Sequence, residues 1–85
     1  MSKHNCRVCG LFSEDLPWGE NGDCPTHEIC PCCGVEFGYE DYTVLSTKEY
    51  RDLWLLKGAE WFDKSVKPNS WDKEQQFKNI PEEFK

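Results

Sequence analysis

Apolar residues recur with two different periods along this 85-residue chain, and each period predicts an element. Val35, Phe37 and Tyr39 alternate with Glu36, Gly38 and Glu40, the period of a half-buried strand, with Gly38 suited to a bulge. From Ser46 the period becomes helical, with Tyr50, Leu53, Trp54 and Trp61 recurring on one face. Ser46 and Glu49 have capping-box spacing, and Leu45 and Tyr50 stand at staple positions around them. Gly58 is suited to end this helix, but the face shared by Trp61 and Phe62 predicts that it continues past the glycine at a cost of about 1 kcal/mol. Pro68-Asn69-Ser70 breaks the pattern, Trp71 to Lys78 reads as a short second helix, and Ile80-Pro81 stops it, because a residue before proline avoids the helical region. The tail to Lys85 is expected to lie over the surface, pinned by Phe84.

Leu11 to Ile29 carries Pro17, Gly19, Gly22 and Pro25 among acidic residues and predicts a loop, with at most a short hairpin. Leu16, Trp18 and Ile29 are its expected anchors to the core. No internal repeat or low-complexity tract is evident. A chain of this size makes one domain and buries only about 60 to 65% of its unfolded surface, so its apolar core alone is marginal. It needs a staple.

The cysteines supply one. Cys6-Arg7-Val8-Cys9-Gly10 and Cys30-Pro31-Cys32-Cys33-Gly34 are matched turns separated by 20 residues, Gly10 to Ile29 being counted out between the two pairs. Each C-x-x-C pair sets two sulfurs on one side of a tight turn, and two such turns facing each other complete a tetrahedral S4 shell with Zn-S bonds of about 2.3 Å. The glycine after each pair allows a sharp turn through positive φ while backbone N-H groups point at the thiolates. Cys6, Cys9, Cys30 and Cys33 are therefore the expected ligands of one structural Zn2+, with iron as the alternative ion. No secretory apolar segment follows Met1, which favours thiolate-metal bonds in a reducing cytoplasm over disulfides. The longest apolar run, Leu53-Trp54-Leu55-Leu56, is far short of the roughly 20 residues that span a bilayer.

Charge narrows the partners. Residues 1 to 45 hold two basic residues, Lys3 and Arg7, against eight acidic ones, while residues 46 to 85 hold eight of each, so the whole net charge of -6 lies in the cysteine half. Four thiolates around a divalent ion add negative charge there, where a nucleic-acid-binding ribbon needs cations to displace counterions. Phosphate backbones should be repelled, and a basic protein surface attracted. Most of the acidic residues are expected to be solvated, and Glu36, Glu40 and Asp41, which follow the rigid second turn, are the expected contributors to steering.

The remaining candidates are weaker. Cys32 lies inside the second turn, but the C-P-x-C-G register selects Cys30 and Cys33, leaving Cys32 a bystander; Cys24 is a lone cysteine in an acidic loop. His4 and His27 lack matching partners and are expected to be solvated loop residues. Four ligands leave no open position for a catalytic water, and no nucleophile stands with a base, so no enzyme is indicated. The 12 aromatic residues lack basic neighbours in the cysteine half and are assigned to core packing.

Glu28-Ile29-Cys30-Pro31-Cys32-Cys33-Gly34, followed by Glu36 and Tyr39-Glu40-Asp41, resembles the bacterial cysteine-rich CPCC domain family of small two-knuckle proteins. The resemblance covers roughly residues 6 to 42 and implies a zinc-ribbon-like fold without implying an activity. It departs from the family in carrying the CPCCG signature in the second knuckle, the first being Cys6-Arg7-Val8-Cys9, and it leaves the helices from Ser46 onward unexplained. The expectation is a small metal-stabilised α+β domain over residues 1–85: a zinc-ribbon or rubredoxin-like knuckle module at 1–45, then a helical extension at 46–85. Three functions compete: a zinc-stabilised protein-interaction module of adaptor, inhibitor or immunity type; a rubredoxin-like iron electron carrier, to which the C-terminal extension is foreign; and a nucleic-acid-binding ribbon, disfavoured by charge.

Overall fold

The computed structural model describes residues 3–85. A first cysteine turn, a long loop and a second cysteine turn lead into helix α1 (Val44–Leu56), a 3-10 turn at Lys64–Val66, helix α2 (Lys73–Phe77) and a last 3-10 turn at Glu82–Phe84. Extended pairing among the described residues is confined to two isolated antiparallel bridges, Asn5 with Phe12 and Ile29 with Glu36. The strand expected from Val35 to Tyr39 does not form. Val35 and Phe37 are buried as the alternation requires, but Tyr39 is 70% exposed. Gly38, at φ +101°, turns the chain; its N–H donates to Asp41 Oδ1 at 2.8 Å and the Tyr39 N–H donates to Glu36 O at 3.0 Å. A turn that satisfies its own backbone groups has no need of a partner strand.

Asp41 is the hub of that turn. Its carboxylate is fully buried and accepts from Trp18 Nε1 at 2.9 Å as well as from Gly38, so it ties the long loop to the segment after the second cysteine turn. It is therefore not the exposed steering residue expected from sequence. Asp41→Ala should destabilise the protein by about 3 kcal/mol, since the buried Trp18 indole and the partly buried Gly38 N–H lose a charged acceptor, while Glu40→Ala costs less than about 1 kcal/mol. Urea titration of both variants with metal bound is the check, and equal effects would contradict the hub role.

Helix α1 begins before the expected cap. Thr43 is its N-cap and Ser46 occupies the third helical position: the Ser46 N–H donates to Thr43 Oγ1 at 3.0 Å and the Thr43 N–H to Ser46 Oγ at 3.2 Å, a capping box built on Thr43 rather than on Ser46. Thr47 Oγ1 adds a bond to Thr43 O at 2.6 Å, and Leu45, the expected staple, is exposed. The end also differs. The helix stops at Leu56, and Gly58 at φ +105° closes it: Gly58 N–H bonds to Leu55 O at 3.0 Å and Ala59 N–H to Trp54 O at 2.8 Å, the paired bonds of a Schellman ending. Trp61 reaches the core because the chain folds back, and Trp54 Nε1–H bonds across the reversal to Glu60 O at 2.9 Å.

α2 is shorter than the span expected from Trp71 to Lys78. Asp72 caps it, accepting from the Glu74 and Gln75 N–H groups, and Trp71 stays outside, edge-on to Trp61 with ring centroids 5.5 Å apart. The core is built around the cysteines themselves: Cys6, Val8, Cys9, Cys30, Cys32, Cys33, Val35, Phe37, Trp54, Ala59 and Trp61 are buried together, and Leu11, Tyr50, Trp71 and Phe77 pack against them. Trp18 is buried as an anchor of the loop, whereas Ile29 is exposed. Phe84 is buried and pins the tail. No helix among the described residues is long and apolar enough to cross a membrane.

Candidate metal centre

The two cysteine turns are copies of one another at an offset of 24 residues, a repeat not evident from the sequence outside the cysteines and glycines. In the first, Cys6 N–H bonds to Leu11 O and Gly10 N–H to Cys6 O, both at 2.9 Å; in the second, Cys30 N–H bonds to Val35 O and Gly34 N–H to Cys30 O, again both at 2.9 Å. The flanking bridges, Asn5 with Phe12 and Ile29 with Glu36, stand at the same offset, and Gly10 and Gly34 share φ +81°. Both glycines are required by that left-handed backbone, as expected.

Facing each other, the turns bring the Sγ atoms of Cys6, Cys9, Cys30 and Cys33 within 4.8 Å of one another. The contacts between turns are Cys6 to Cys33 and Cys9 to Cys30, each 3.7 Å. That is too long for a disulfide and close to the edge of about 3.8 Å that a tetrahedron has when its centre-to-sulfur bonds are about 2.3 Å. All four residues are buried, at most 4% exposed. Four cysteines so arranged can hold a metal ion, and they leave no face of the shell open to solvent.

Electrostatics point the same way. Burial pushes the Cys9 and Cys33 thiols well above their ordinary range, while hydrogen bonds from Cys33, Cys6 and Cys9 pull Cys30 down. The sulfurs cannot all ionise together without a cation among them, and a metal ion supplies that cation while displacing the protons. Metal uptake must therefore release protons, so affinity should rise with pH and the stability conferred by the ion should be lost as pH falls. Competition with a chromophoric chelator between about pH 6 and pH 8 tests this, and a pH-independent affinity would contradict it.

The outer layer comes from the C-terminal half, and sequence reasoning missed it. Arg51 donates to Val8 O at 2.6 Å, to Arg7 O at 2.9 Å and to Phe84 O at 2.5 Å, fixing the first turn against α1 and the tail. It is thus not a free helix cation. Tyr50 Oη–H bonds to Cys33 O at 2.9 Å, and burial raises its pKa. Gln76 Nε2 donates to Cys9 O at 3.1 Å and to Cys32 Sγ at 3.4 Å. Phe62 and Asp63 N–H groups bond to Cys32 O and Pro31 O at 3.0 and 2.9 Å. The available signal was the inward stripe of α1, where Tyr50 and Arg51 stand between the buried Thr47 and Trp54 at helical spacing.

Of the other candidates, Cys32 is fully buried beside the tetrad, Cys24 is exposed, and neither belongs to the four. His4 bonds through Nδ1 to Ser13 O at 2.9 Å and stacks on Phe12; His27, in left-handed backbone at φ +65°, lies 3.9 Å from Glu36.

Among curated proteins the chain is similar to the uncharacterized protein YoaQ of Bacillus subtilis (strain 168), at 36% identity over 72 aligned residues covering 65% of this chain and 59% of that protein. The chain thus spans less than two thirds of that relative's length. No family model matches the chain, and no solved structure does.

Proposed function

We propose that this chain is a zinc-ribbon-like protein of the CPCC type, in which one Zn2+ held by Cys6, Cys9, Cys30 and Cys33 is structural and the acidic surface serves protein-protein interaction. The carrying observation is the closed, buried sulfur tetrad: four protein ligands with no exposed edge leave no position for substrate or water, which suits a staple rather than a catalyst. The five buried thiols suit a reducing cytoplasm.

The interaction reading rests on charge placement. Glu14, Asp15, Asp23 and Glu28 are exposed on the loop between the knuckles, whereas Glu36 and Glu40 are only partly exposed and Asp41 is buried. The steering face therefore belongs to the loop. A basic protein partner is attracted to it and a nucleic acid repelled, with an association rate that falls as salt rises. An adaptor or an inhibitor of the immunity type fits that behaviour.

Metal analysis of protein purified under reducing conditions from its native host is the first test. Colourless protein with one zinc supports the structural reading; red protein with stoichiometric iron replaces it with the electron-carrier reading, because the same S4 shell accepts iron. Partners captured by crosslinking should then bind more slowly to a variant with Glu14, Asp15 and Glu28 reversed to lysine. An unchanged association rate, or tight DNA or RNA binding at physiological salt, would overturn the acidic-face reading.

A further inference from the structure

A cleft of about 440 Å³, lined by none of the cysteines, lies between the first knuckle, the loop at residues 17–22 and the C-terminal tail. Its volume lies within the range of about 300 to 1,000 Å³ typical of ligand sites. Lys3 and Arg7, both basic side chains of residues 1 to 45, line this one cleft. Arg7 is held as a fixed fork: its guanidinium lies 3.8 Å from the Trp18 ring centre and 4.5 Å from that of Phe84, and it donates to Asp41 O at 3.1 Å and Gly22 O at 3.3 Å. A guanidinium has five N–H groups, so among the described residues three remain beyond those two bonds.

We infer that this cleft binds the C-terminus of a peptide, its carboxylate on Arg7 and Lys3 and its last apolar side chain against Trp18 and Phe84. A planar guanidinium already oriented by stacking matches a carboxylate in two-point fashion and loses little side-chain entropy on binding. Glu20 and Glu83 also line the cleft and balance the two cations, which disfavours a dianionic phosphate. A peptide meets both demands, with one carboxylate for the cations and backbone N–H donors for the two acids. The apolar walls give the body of the ligand a surface to cover.

The inference deepens the interaction reading by naming a partner chemistry, and it rests on that reading only in taking the ligand to be a protein; it uses none of the acidic loop residues proposed for steering. The probe is acetyl-Ala-Pro-Phe as free acid and as carboxamide, titrated into zinc-loaded full-length protein and followed by NMR at the Arg7 Nε–H and Trp18 indole N–H. The acid should bind saturably, with both signals moving, and at least about tenfold more tightly than the carboxamide, the worth of one charge-assisted pair. Arg7→Lys, which keeps the charge and removes the fork, should reduce affinity for the acid by about the same factor. Lys3→Glu, at an exposed position that leaves the fold intact, should weaken the acid and spare the carboxamide. Equal binding of acid and carboxamide, shifts absent from Arg7 and Trp18, or an acid affinity indifferent to Lys3→Glu would each overturn the inference. Glu14, Asp15 and Glu28 do not line the cleft, so their reversal leaves the contrast between acid and carboxamide and the Arg7 and Trp18 shifts in place, and the two readings can fail separately.

Discussion

Removal of the metal by a strong chelator, or Cys33→Ser, is expected to unfold the whole chain rather than its cysteine half alone. Binding of structural zinc to a four-cysteine site is worth about 10 to 16 kcal/mol in apparent free energy, more than the few kcal/mol a core of this size supplies. The sulfurs are moreover the centre of that core, with Trp54, Ala59 and Trp61 of the C-terminal half packed among them. Arg51, Tyr50 and Gln76 all find their acceptors on the knuckles, so loss of the knuckle backbone deprives α1 and α2 of their partners together. A five-residue helix such as α2 has no stability of its own in water. The measurement is circular dichroism together with the indole N–H resonances of Trp54 and Trp71 before and after chelation. Surviving native resonances would mean that residues 46–85 fold without metal.

The companion variants separate ligands from neighbours. Cys24→Ser, at an exposed position, should change stability by less than about 0.5 kcal/mol. Cys32→Ser should keep the metal but cost about 1 to 2 kcal/mol, since it places a hydroxyl where a fully buried sulfur meets the Gln76 amide. Loss of metal from Cys32→Ser with retention in Cys33→Ser would show the ligand set to be wrong.

The second large effect is expected at Gly10. A methyl group there collides with the backbone oxygen of Gln76 and lies 3.1 Å from Ile80 N and 3.3 Å from Asn79 C, backbone atoms that can yield only if α2 and the following turn move away from the first knuckle. To this is added the cost of placing an alanine at φ +81°, about 1 to 2 kcal/mol. Gly10→Ala should therefore destabilise the metal-bound protein by about 3 to 5 kcal/mol, overpacking and backbone strain combined. Gly22 is the control: its φ of +76° is almost the same, but a methyl group there meets nothing within 4 Å, so Gly22→Ala should cost only about 1 to 2 kcal/mol. Gly34→Ala should fall between, because its nearest neighbour, at 3.2 Å, is the movable Phe62 side chain. Urea unfolding of the three variants at fixed free zinc measures the order. Equal costs at Gly10 and Gly22 would show that the close approach of α2 contributes nothing.

Charge was legible in amount but not in position. The acidic excess of the cysteine half was evident from sequence, yet one of the three carboxylates expected to steer a partner, Asp41, is spent inside on Trp18 and Gly38. The reason is distance along the chain. Trp18 lies 23 residues before Asp41, and nothing in the intervening loop announces that they meet. The same holds for Arg51, whose acceptors Val8 and Arg7 lie 43 and 44 residues away, and for Gln76, 67 residues from Cys9.

What the sequence determined by itself were the features whose atoms lie within a few residues of one another. The C-x-x-C-G turns follow from the reach of two cysteines and the left-handed freedom of the glycine after them, and a short second helix follows from the breakers on either side of it. Tertiary structure decided the rest. Capping and continuation were both locally acceptable at Gly58, and the reversal prevailed because it returns Trp61 to the cysteine core and lets Trp54 bond to Glu60. The period-two pattern at Val35 to Tyr39 was likewise ambiguous: with Asp41 available to satisfy Gly38, a turn serves the same backbone groups that a strand would have had to pair elsewhere. Cys32, Arg7 and Arg51 took their roles only from partners that the folded chain delivers, since a side chain's hydrogen bonds and burial are properties of its neighbours in space.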